Sequence, residues 1–152
     1  GILVLILALS PVFNTRRLQK SMDHLYAIGM QNDADLQFYD PNIERYDKMR
    51  VALSKDFVYA GASGCILPYS EIGWLYKSVR RSYGITVATQ LVAGTVDGKM
   101  VVLAPQKASD DFIASVAQRV LMKNPNCLIG YSFDRNKLYR QRVKEYKATH
   151  RA

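Results

Sequence analysis

Between residues 50 and 104 the chain is cut into short runs of β-branched and aromatic residues by Gly, Ser and Pro, and this punctuation constrains the fold more than any other feature. Arg50-Val-Ala-Leu-Ser, Phe57-Val-Tyr-Ala, Gly64-Cys-Ile-Leu-Pro and Gly73-Trp-Leu-Tyr-Lys-Ser-Val-Arg-Arg have the length and residue types of strands. Two further runs, 86–96 and 100–105, flank Asp97-Gly98, a dipeptide whose tolerance of positive φ closes tight hairpins. The expectation is a succession of antiparallel strands. In the Trp74 run, Trp74, Tyr76, Ser78 and Arg80 fall on one face and Leu75, Lys77, Val79 and Arg81 on the other. Neither face is cleanly apolar, which predicts a half-exposed strand.

Helical spacing brackets this region. Leu18, Met22, Leu25, Tyr26 and Ile28 predict an amphipathic linker helix from Thr15 to about Met30, with Gly29 as its stop. Residues 31–47, polar and acidic around Pro41-Asn42, read as an irregular connection with a short helical turn. Their carboxylates, Asp33, Asp35, Asp40, Glu44 and Asp47, lack the ordered series and central Gly of a calcium loop. Ser109-Asp-Asp caps and opens a helix carrying Phe112, Ile113, Val116, Val120 and Leu121 as far as Asn124-Pro125. Cys127-Leu-Ile-Gly-Tyr-Ser reads as a short apolar strand or turn. Asp134 then starts a second helix through Leu138, Tyr139, Val143 and Tyr146. The fold class expected is α+β: a partly closed antiparallel β-meander with an N-terminal linker helix and two C-terminal helices. A length of 152 residues suits one such domain.

Residues 2–13 are apolar all round and uncharged until Arg16 and Arg17, followed by Lys20. A dozen residues fall short of the roughly 20 that span a bilayer. A chain that opens on Gly1 without Met inside an apolar run reads as part of a longer membrane anchor; a buried core element and a signal remnant are the alternatives. With an anchor, Arg16, Arg17 and Lys20 place the domain on the cytoplasmic side of the cell membrane. These readings divide the chain into a hydrophobic segment 1–13, a helical and irregular linker 14–46, a sheet domain 47–131 carrying helix 109–124, and a basic C-terminal helix 132–152.

The stretch Phe57-Val-Tyr-Ala followed by Ile66-Leu-Pro-Tyr-Ser-Glu-Ile-Gly-Trp-Leu-Tyr-Lys resembles the bacterial pleckstrin-homology-like domains, and the ending Asn124-Pro-Asn-Cys-Leu-Ile-Gly-Tyr131 resembles a small membrane-tethered group of them of unknown function. The resemblance covers residues 50–140. It implies a pleckstrin-homology-like sheet and a cell-envelope setting, and it brings no catalytic residue. The long basic C-terminal helix departs from it. Within the phrase, Pro68 cannot donate to a ladder and Tyr69-Ser70 suit a turn, so the chain changes direction before Ile72 and Trp74. Glu71 reads as a solvated or capping carboxylate.

Little else points to chemistry. Gly61-Ala-Ser-Gly64 lacks the Lys and Ser/Thr of a phosphate loop, and no Ser sits in a nucleophile elbow. His24 and His150 lie near the chain ends, and Asp110-Asp111 is explained by helix capping. Cys65 and Cys127, each inside an apolar run, read as reduced core thiols. No cofactor or metal is expected, and the chain reads as a non-enzyme.

Charge is the remaining signal. Lys and Arg number 21 against 13 Asp and Glu, a net +8, which favours an anionic partner. One basic group, Lys77, Arg80 and Arg81, lies in a stretch without a carboxylate between Glu71 and Asp97. A second, Arg135, Lys137, Arg140, Arg142, Lys144, Lys147 and Arg151, is faced only by Asp134 and Glu145. Both are candidates for an anionic surface, with a solvated helix face as the alternative for the second. The expected function is an interaction domain binding a protein partner or anionic lipid headgroups. The alternative is a soluble basic domain for nucleic acid, with Tyr83, Tyr139 and Tyr146 as stacking candidates. An exposed sheet edge offers a route to homo-oligomers.

Overall fold

A computed structural model describes residues 15–150. The apolar run, and with it the expected anchor, lies outside the described residues, as does Arg151. The order is α1 (Thr15–Ala27), α2 (Gln31–Phe38), β1 (Glu44–Tyr46), β2 (Val51–Leu53), β3 (Phe57–Ala60), β4 (Cys65–Pro68), β5 (Ile72–Ser82), β6 (Ile85–Thr95), β7 (Met100–Ala104), α3 (Asp110–Lys123), β8 (Leu128–Ile129) and α4 (Phe133–Thr149). The fold is α+β, with two N-terminal helices where the sequence suggested one, and two C-terminal helices. The strands form two open four-stranded sheets, ordered β1-β2-β3-β4 and β7-β6-β5-β8, where the sequence suggested one partly closed meander. All neighbours are antiparallel except β8, which runs parallel to β5.

The break between the sheets lies where Pro68 ends β4. A single 3-10 turn, Tyr69–Glu71, follows. The Tyr69 amide donates to Asp56 O at 2.9 Å and its hydroxyl to Ser54 O at 2.9 Å, so the turn is bolted to the β2–β3 loop and Ile72 enters a different sheet.

Alternation along the first sheet serves two cores at once. Val51, Leu53 and Val58 face Leu75, Leu91 and Leu103 of the second sheet, with Phe112, Val116 and Val120 of α3 filling the same layer. Ala52, Phe57, Tyr59 and Ile66 face the other way, onto Leu18 and Leu25 of α1 and Ala34 and Phe38 of α2. The central strands are thus buried on both faces.

Local chemistry accounts for the helix ends. Gly29, at φ +75°, ends α1 in the left-handed cap that glycine adopts without strain. Ser109 caps α3 by accepting from Phe112 N at 3.2 Å. Ser132 caps α4 through Arg135 N at 3.1 Å, so α4 starts at Phe133 and Asp134 sits in its first turn. Two sequence expectations shift. Tyr26 and Ile28 are exposed, because Leu18, Met22 and Leu25 alone occupy the stripe that meets the sheet. Residues 31–47 are not an irregular connection: they hold a full helix, α2, and the first strand.

Candidate functional site

The second sheet is built on a hairpin far longer than its neighbours. β5 and β6 each have 11 residues, paired from Ile72↔Thr95 to Ser82↔Ile85. On one side β7 reaches only Leu91–Gly94 of β6. On the other, β8 covers only Trp74 and Leu75 of β5. Gly130 then donates to Leu75 O at 2.8 Å and turns away at φ +89°. Beyond Tyr76 and Gln90 the hairpin is therefore a two-stranded ribbon overhanging by about 20 Å at 3.3 Å per residue. Its one further backbone tie is from Ala108 N to Thr89 O, 3.0 Å.

The ribbon has an unusual tip. Tyr83 (φ +51°) and Gly84 (φ +78°) are the central pair of a two-residue turn in which both residues need positive φ. Glycine adopts this freely, whereas tyrosine is strained by about 1–2 kcal/mol. Tyr83 is fully exposed at 101%, and Ile85 and Val87 are exposed at 69% and 54%. Arg80 and Arg81 flank them, with a ladder irregularity between the two. Exposed apolar and cationic side chains thus lie together at the outer end of the ribbon.

Nearer the root, the outer face of the second sheet carries an aromatic cluster. Trp74 and Tyr76 are two apart on β5 and share that face. Tyr131 stacks on Trp74 with centroids 5.6 Å apart and planes at 24°, and meets Tyr76 edge-on at 5.4 Å. Tyr139 of α4 reaches the same ring at 5.2 Å. Tyr139 is the one buried residue of α4, and its hydroxyl donates to Thr95 O at 2.7 Å. The contact needs Gly94: a Cβ there would come within 2.8 Å of the Tyr139 ring. Burial, with Asp97 and Tyr76 nearby, pushes the Tyr139 phenol up to about 12. Trp74 Nε1 donates to Gly130 O at 2.8 Å, which fixes the indole. Between α4 and this face lies a cleft of about 540 Å³, lined by Trp74, Tyr76, Tyr131 and Tyr139 and rimmed by Arg140 and Lys144.

The basic residues singled out from sequence lie in several places. Arg80 and Arg81 are on the ribbon, whereas Lys77 forms an ion pair with Asp110 at the start of α3 (3.6 Å). Arg140 and Lys144 rim the aromatic cleft. Arg142 lies on the opposite side of α4, donating to Asn126 O at 2.6 Å. Lys137 sits over the Phe133 ring at 5.5 Å, Lys147 lies beside the Gly98 turn, and Arg135 lies beside Gly130. Of the tyrosines considered for stacking, Tyr83 is free to meet a partner, Tyr139 is buried, and Tyr146 stacks on His150 at 3.9 Å. The cluster of Trp74, Tyr76, Tyr131 and Tyr139 escaped the sequence reading as a site. Its one legible sign was the Trp74/Tyr76 pair at strand spacing.

Other candidate chemistry has local explanations. The Glu71 carboxylate meets His24 Nε2 at 2.7 and 2.9 Å, tying α1 to the turn between the sheets. Cys65 and Cys127 are unbridged, and burial raises both thiols, Cys127 to about 12. Among the described residues no cluster of three or more His, Cys, Asp or Glu is placed to hold a metal ion, and no helix is long and apolar enough to cross a membrane. No family model, curated protein or solved structure matches the chain.

Proposed function

We propose that this chain is a non-enzymatic, membrane-tethered interaction module of pleckstrin-homology-like build, whose β5–β6 ribbon docks on an anionic membrane surface. The build is supported by the strand succession, four antiparallel then three, with a helix packed in the layer between. The docking role rests on one observation: Tyr83, Ile85 and Val87 are exposed beside Arg80 and Arg81 on a ribbon that no other element covers.

Magnitudes favour a contact that works with a tether. Two arginines near an anionic leaflet contribute about 2 kcal/mol. Fully removing an Ile side chain from water adds about 1.5–3 kcal/mol. Such a sum orients a domain already held at the surface and holds a free one weakly, which is how a second signal acts beside a hydrophobic anchor.

Vesicle co-sedimentation at millimolar lipid tests the two parts separately. Residues 15–152, which carry both cores, are expected to sediment with phosphatidylglycerol vesicles in a salt-sensitive way and to stay in solution with phosphatidylcholine alone. The Arg80→Glu/Arg81→Glu variant is expected to lose that binding, and Ile85→Ser to weaken it. Equal binding to neutral vesicles, or no response to either variant, sinks the ribbon reading. Recovery of the full-length protein, with whatever precedes Gly1, from cells in the soluble fraction without detergent sinks the tether.

A further inference from the structure

We infer that the aromatic cleft between α4 and the outer face of the second sheet is a binding site for a small organic anion with a flat aromatic body. This site is separate from the ribbon tip and does not rest on the membrane reading.

The volume, about 540 Å³, lies within the range of small-molecule sites, about 300–1,000 Å³. The floor is ring surface: Trp74 is almost covered, while Tyr131 is 61% exposed and Tyr76 half-buried, so π faces remain for a planar guest. The rim is cationic. Arg140 and Lys144 are four apart on α4 and share one edge of the cleft, and no residue lining it is acidic. No residue three or four positions from either cation is a carboxylate, so α4 offers them no ion-pair partner. Like charges at this spacing cost a few tenths of a kcal/mol, which a bound anion relieves. Asn136 adds an amide to the same wall.

This combination selects against other guests. A quaternary ammonium would be attracted by the rings and repelled by the rim. A neutral apolar ligand would gain nothing from the two cations. The cleft is also blocked at one end: Gly98, in the β6–β7 turn, lies so close to α4 that a Cβ would come within 2.9 Å of Val143. A site stopped at one end suits a short molecule better than a running polynucleotide strand.

The chain has one tryptophan, and it lies in the cleft floor, so intrinsic fluorescence reports on the site. The experiment titrates the 152-residue protein with anilinonaphthalene sulfonate, an aromatic anion, and with its uncharged analogue phenylnaphthylamine, reading energy transfer from Trp74. The expected result is saturable one-site binding of the sulfonate, about tenfold tighter than that of the neutral analogue, as charge-assisted contacts predict. Arg140→Gln/Lys144→Gln is expected to erase that difference, and Tyr131→Ala, at an exposed position that leaves folding intact, to weaken both probes. Arg80→Glu/Arg81→Glu is expected to change nothing. Equal affinity for the two probes overturns the proposal. So does indifference to the α4 variants, or sensitivity to the ribbon variant, which would place the probe on the ribbon.

Discussion

The central strands of the first sheet and the outer half of the β5–β6 hairpin are both rich in strand-forming residues, yet one is covered on two faces and the other on none. β2 and β3 are strands because each alternate residue has a core to enter. The ribbon is a strand pair because its root is locked into the second sheet and its turn closes in register. A two-stranded hairpin alone is marginal in water. Its persistence here is borrowed from Leu75, Leu91 and Ala93, buried at its base. Apolar residues of the first sheet are therefore spent on folding, and those of the ribbon remain free to meet something else.

The contrast predicts unequal responses to substitution. Phe57→Ala, at a fully buried site against α1 and α2, is expected to cost about 3–5 kcal/mol in denaturant unfolding. A smaller loss would mean that the helices do not seal that face. Gly94→Ala comes next. The new methyl collides with Tyr139, so about 1–3 kcal/mol is expected, with a changed Trp74 emission as the ring moves off the indole. On the ribbon the sign reverses. Tyr83→Asn relieves the left-handed strain and is expected to stabilise by up to about 1 kcal/mol while weakening vesicle binding. A loss of stability there would show that Tyr83 packs against something.

The smallest effect concerns pH. Burial acts to raise the Asp56 carboxyl, but hydrogen bonds from Lys123 and Gln37 outweigh it and hold the group below its ordinary value. A carboxyl depressed on folding contributes stability above its unfolded pKa and loses it as pH falls through the folded value. Acid unfolding is thus expected to be shallower below about pH 4 in Asp56→Asn than in the parent. An unchanged slope would remove the Lys123–Asp56 pair, 2.6 Å apart, from the forces that hold α3 to the first sheet.

Much of this architecture could be read from residue order. The strands between residues 50 and 104, the Asp97-Gly98 hairpin and the Ser109 cap follow from local chemistry, which acts within a few residues. The helix α2 did not, because only Ala34 and Phe38 of its eight residues are buried and so few leave no visible period. The split into two sheets was half legible: Pro68 and Tyr69 mark a turn, but only the Tyr69 bonds to Ser54 and Asp56 show that the chain changes sheet. The basic residues of the candidate site were recognisable as charges. Their division within α4, between the cleft rim and the far side, follows from how Tyr139 seats that helix on Gly94, a contact between residues 45 positions apart in the chain.

The parallel pairing of β8 with β5 has a consequence for the order in which the protein is made. Parallel neighbours cannot be joined by a tight turn, so Trp74 and Leu75 wait for Leu128 and Ile129, with two strands and α3 synthesised in between. At about 5–20 residues per second, the fifty-odd residues between Leu75 and Leu128 take several seconds to make, and this edge stays bare throughout. During that interval the indole and an unpaired strand are uncovered together, the combination that templates unwanted pairing. β8 therefore closes this edge late, as a biosynthetic latch. A chain stopped just short of Leu128 would keep its hydrophobic centres yet call on chaperones far more than its length suggests.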